Sequence, residues 1–79
     1  MSEGLLWKLR RELEIRNLSK KTVNLYIYSV EKFLEYSKNK GLNENTVKDY
    51  VQKQIHYKNP STVAHNVFAI SFFFDKVLK

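Results

Sequence analysis

Six basic side chains stand between Lys8 and Lys21 of this chain: Lys8, Arg10, Arg11, Arg16, Lys20 and Lys21. Only Glu12 and Glu14 oppose them, so the stretch holds +4 of the formal net charge of +6. Cations at that density suit one kind of chemistry: they neutralise phosphates and release counterions. The run crosses a helix start at Ser19, where unpaired N–H groups and the helix dipole also favour an anion. The plain alternative is a lysine-rich solvated face. A pI near 9.7 favours polyanionic partners, nucleic acid before an anionic membrane surface.

Other chemistry is poorly supplied. The two histidines, His56 and His65, are nine apart, outside helical register, and there is no cysteine. No metal site and no disulfide are therefore expected. The only glycines are Gly4 and Gly41, so there is no glycine-rich phosphate loop. Glu12 with Glu14, and Glu31 with Glu35, lie among cations and read as surface ion pairs. No cofactor is expected, nor enzyme activity from this chain alone. The most apolar run, Val67 to Phe74, is broken by Ser71 and falls far short of the roughly 20 residues a membrane span needs. No export signal is read, which makes a cytoplasmic protein the simplest expectation.

The elements that must position these groups are helices. At 79 residues the chain is one small domain, 1–79, stabilised by apolar packing alone. A first helix over about 3–16 has a narrow stripe of Leu5 or Leu6, Leu9 and Leu13. Trp7 lies off that stripe, which leaves an edge contact or a partner site open. Ser19 caps a second helix over about 20–39, with Leu18 and Val23 spaced as a hydrophobic staple. Val23, Tyr26, Ile27, Val30, Phe33 and Leu34 share its core face. Lys21, Leu25, Tyr28 and Lys32 point away. Gly41 stops the helix. Asn43 starts a third helix over about 44–55, with Leu42 and Val47 as the staple. Val47, Tyr50, Val51 and Gln54 lie on one of its faces, and its polar side reads as plain solvent exposure.

Asn59 before Pro60, or Ser61, caps a fourth helix over about 61–78. Val63, Val67, Ile70, Phe74 and Val77 form its expected core stripe, with Phe73 at the edge. His65, Phe68, Phe72 and Lys76 occupy the other side. Two phenylalanines there point to a helix buried nearly all round; the alternative is a docking face for another protein domain or protomer. No strand-like alternation occurs. The expected fold is all-α, a compact four-helix bundle.

The pattern Ser19-x-x-Thr22-Val23-x-x-Tyr26-x-x-x-Val30-x-x-Phe33 resembles the second helix of the N-terminal SAM-like core-binding domain of tyrosine recombinases, the phage integrases and Xer-type enzymes. Leu42 to Val47, Ser61-Thr62-Val63 and Ala69-Ile70-x-x-Phe73-Phe74 continue the resemblance in order and spacing over nearly the whole chain. It implies half of a clamp around double-stranded DNA, with the second and fourth helices facing the major groove. Carried over by position, it implies DNA contacts from Ser19, Lys20, Lys21, Thr22, Asn24 and Tyr28. From the fourth helix it implies Ser61, Thr62, His65 and Asn66, while Arg10, Arg11 and Arg16 belong to the basic run. Two departures stand out. The fourth helix carries no cation before Lys76, where the family often has Arg or Lys in its first turns. Asn66 also lies near the core stripe, where a buried polar role competes with contact to DNA. The family's catalytic residues belong to a separate C-terminal domain, an expected partner, so none of the five tyrosines inherits a nucleophile's role. Any oligomer would form on DNA. The competing reading is a helical protein-interaction domain that docks through Phe68 and Phe72.

Overall fold

A computed structural model describes Ser2–Leu78, with side chains from Gly4 onward. Met1 and Lys79 of the expected 1–79 domain lie outside the described residues. Four helices follow in order: α1 (Ser2–Ile15), α2 (Lys20–Ser37), α3 (Glu44–Tyr57) and α4 (Pro60–Phe73). The last passes into a π-helical turn, Phe74–Leu78. The described residues contain no strand. The all-α expectation holds, with α2 stopping at Ser37 and α3 reaching Tyr57.

Three helices begin alike because their caps are alike. Ser19 Oγ accepts from the Thr22 N–H, Asn43 Oδ1 from the Thr46 N–H, and Asn59 Oδ1 from the Thr62 N–H. Each cap thereby satisfies one otherwise unpaired donor, and a threonine always stands three residues on. Asn59, not Ser61, therefore caps α4, and Pro60 takes the first position, where its missing N–H costs nothing. Asn17 (φ 59°) and Gly41 (φ 90°) reverse the chain after α1 and α2 in left-handed backbone. Leu18 and Leu42 are each 38% exposed, so the proposed staples are only partly covered.

α2 is the hub, packing against α1, α4 and α3. Leu9 and Leu13 of α1, Val23, Val30 and Leu34 of α2, and Ala69 and Phe73 of α4 form one cluster. Phe33, Tyr50 and Ile70 form a second toward α3. Phe33 and Phe73 are fully buried, each contributing about 1.5–3 kcal/mol of transfer free energy. Tyr26 and Ile27 are only half-buried at the rim of the first cluster. The radius of gyration, 12.1 Å, is close to the roughly 11.6 Å of a compact chain this long.

α4 corrects the expected stripe. Ala69, Ile70 and Phe73 are its buried side chains, whereas Val63, Val67, Phe74 and Val77 are only partly covered. Phe73 is central rather than peripheral. Nor is the helix buried all round: Phe68 is 67% exposed. Phe72 is half-buried, its ring edge-on to Tyr26 at 6.0 Å. The helix is apolar over most of its circumference, so periodicity alone could not orient it. Tertiary packing does, with Ala69 and Phe73 joining the first cluster and Ile70 the second.

Candidate functional site

α2 carries two faces, and the outward one builds a site. Leu25, Tyr28, Lys32 and Tyr36 recur at three- and four-residue spacing and so form a second stripe beside the core stripe. Opposite them stand Ser61, Thr62, His65 and Asn66 at the start of α4. Tyr50, Gln54 and Lys58, from α3 and its end, complete the walls. The result is an open groove of about 810 Å³ among three helices.

A part-buried polar chain links the three walls. Ser29 Oγ of α2 donates to Asn66 Oδ1 of α4 at 2.9 Å. Asn66 Nδ2 in turn donates to Gln54 Oε1 of α3. Ser29 is 5% exposed, so its hydroxyl needs that partner. Asn66 is thus engaged on both its donor and its acceptor side. The resemblance placed it among DNA contacts; its geometry makes it a tie between helices. His65 is half-buried, its ring edge-on to Tyr26 at 5.4 Å. Its Nε2 is buried with no hydrogen-bond partner among the described residues.

Tyrosines and lysines alternate along the groove. Lys32 Nζ lies 5.4 Å from the Tyr28 ring centre, and Lys40 and Lys53 lie over Tyr36 at 4.7 and 5.0 Å. Tyr36 and Tyr50 are 5.2 Å apart. Burial pushes the Tyr50 hydroxyl above the ordinary tyrosine range, with Tyr28 and Glu35 adding to the shift. Among the expected site residues, Tyr28, Ser61, Thr62, His65 and Asn66 come together here.

The basic run lies at the other end of α2. Lys20 and Lys21 are exposed beside the cap. Ser19 Oγ also donates to Thr22 Oγ1 at 3.0 Å, so those two hydroxyls bind each other first. Arg10 Nη2 reaches Asn24 Oδ1 at 3.5 Å and links α1 to this end of α2. Arg11 lies 5.8 Å from the exposed Trp7 ring. Arg16 is the most committed cation: it pairs with Glu12 at 3.0 Å and covers Phe72 at 4.9 Å.

Tyr36, Tyr50, Gln54 and Lys58 were not singled out from sequence as site residues. The continuation of the Leu25–Tyr28–Lys32 spacing to Tyr36 was the signal available. Among the described residues, no group of three or more His, Cys, Asp or Glu could hold a metal ion. Among the described residues, no helix is long and apolar enough to cross a membrane.

The family model described as the phage integrase N-terminal SAM-like domain matches residues 5–79. No curated protein and no solved structure matches.

Proposed function

This chain belongs to the family of phage integrase N-terminal SAM-like domains, and from that premise we propose that it is a DNA-binding module. It grips duplex DNA as the N-terminal half of a clamp during site-specific recombination or integration. The bond-breaking chemistry belongs to a separate C-terminal catalytic domain, its protein partner, and this chain itself has no catalytic role. It acts in the cytoplasm, and any oligomer forms on DNA.

The observation that carries this reading is the pair of exposed lysines at the capped start of α2. The same helix presents Tyr28 to the groove shared with the start of α4. Lys20 and Lys21, with Arg10 and Arg11 behind them, bind phosphates where the helix N-terminus adds its own positive potential. Thr22, Asn24 and Tyr28 then face the DNA groove, and Ser61 and Thr62 supply uncharged donors from α4. His65 and Asn66 line the same groove one turn further along α4, and Arg16, paired with Glu12, belongs to the same basic run.

The test is a titration with several unrelated duplexes over a range of salt. Lys20→Ala combined with Lys21→Ala is expected to weaken all of them alike. It should also lower the slope of log affinity against log salt by about 1.8, roughly 0.9 for each lost phosphate contact. Unchanged affinity and slope would overturn the assignment. The exposure of Phe68, 67%, favours one second reading, a protein-docking face on α4. Binding through that face would be nearly insensitive to salt, whereas DNA binding falls steeply with it.

A further inference from the structure

We propose that the groove between α2, α3 and α4 receives an unpaired base of a DNA strand, stacked on Tyr28. The inference rests on the DNA-binding reading and adds a ligand that a continuous duplex does not offer. The groove's volume, about 810 Å³, lies within the roughly 300–1,000 Å³ of pockets that enclose small molecules. A single unstacked nucleotide matches that volume, whereas stacked base pairs present only their edges to the groove's mouth.

The walls have the composition that unpaired bases require. Binding of single strands combines aromatic faces for the bases with cations that track the backbone. Tyr28 is 59% exposed although it is aromatic, and Leu25 one turn earlier is 46% exposed, so a ring face and an apolar shoulder are already open to solvent. Lys32, over one face of the Tyr28 ring, and Lys58 across the groove place positive charge at the mouth and leave the ring's other face for a base. Lys40 and Lys53 add more around Tyr36. Among the described residues of the wall, Glu35 is the only carboxylate. It repels phosphate at its end of the groove and can accept from an exocyclic amine such as cytosine N4. The Ser29–Asn66–Gln54 chain holds the walls in place before any ligand arrives. The ordering cost of binding is correspondingly lower.

The experiment compares two labelled duplexes of one sequence, one fully paired and one with a single extra unpaired cytosine. The protein is expected to bind the second roughly 5- to 150-fold more tightly, the range a stacked base supplies. Tyr28→Ala should bring that ratio close to one, and Tyr28→Phe should preserve it, because the ring and not the hydroxyl does the stacking. A ratio near one for the unaltered protein, with the paired duplex still bound, would overturn the inference alone. So would a ratio that survives Tyr28→Ala. Failure to bind either duplex would remove the DNA-binding reading and this inference together.

Discussion

Tyr50 shows how a single residue serves both packing and site. Its ring fills the α3 side of the core against Phe33, with centroids 5.4 Å apart, while its hydroxyl faces the groove near Tyr28 and Glu35. Burial first, then those two neighbours, raise its pKa above the ordinary value of about 10. The consequence for stability has a definite sign. Below the unfolded pKa both states keep the proton and the fold is unaffected. As pH rises above it, the unfolded chain ionises while the native hydroxyl stays protonated, so stability falls until the native group ionises too. Urea unfolding at intervals from pH 8 to 11 should show this descent, and Tyr50→Phe should make it shallower. An identical alkaline limb in both proteins would mean that the hydroxyl is solvated in the fold.

At the scale of elements, the helix starts are strongly specified and the helix faces less so. The caps are local chemistry: one side-chain oxygen, one N–H three residues on, and extended backbone at the cap. Asn59→Ala should therefore destabilise the domain by about 1 kcal/mol, read as a lower midpoint in chemical denaturation. Ser61→Ala should leave it nearly unchanged, because Ser61 is exposed in the first turn and caps nothing. The reverse ranking would mean that α4 starts one or two residues later. The orientation of α4 was not local. Three consecutive phenylalanines, Phe72 to Phe74, offered three directions for the core, and packing in the first cluster selected Phe73.

At the scale of the whole molecule, the polar chain across α2, α3 and α4 is the tie on which the groove depends. Asn66→Ala would leave the buried Ser29 hydroxyl and the Gln54 amide without their partner. The expected cost is about 1–3 kcal/mol. Ser29→Ala together with Asn66→Ala should cost less than the sum of the two single changes, since both break one network. Strict additivity in urea unfolding would show that the chain contributes nothing as a unit. A second consequence is expected at a distance: amide shifts of α2, α3 and α4 around the groove should move together in Asn66→Ala.

Much of this protein was already determined by its sequence. The starts of α2 and α3, the all-α class, the α1 stripe, most of the α2 core stripe and the basic run around Ser19 follow from periods, caps and charges within a few residues of one another. The tertiary structure decided what depends on helices meeting. It chose Phe73 over Phe74 for the core, left Phe68 in solvent and turned Asn66 inward to Ser29 and Gln54. It also joined Tyr28 to Tyr36, Tyr50 and the start of α4 around one groove. The reason is physical: a helix's own pattern says which residues can share a face, but only the shape and polarity of the neighbouring helices set which face is buried. On α4, apolar nearly all round and without charge in its first turns, that choice was left entirely to packing.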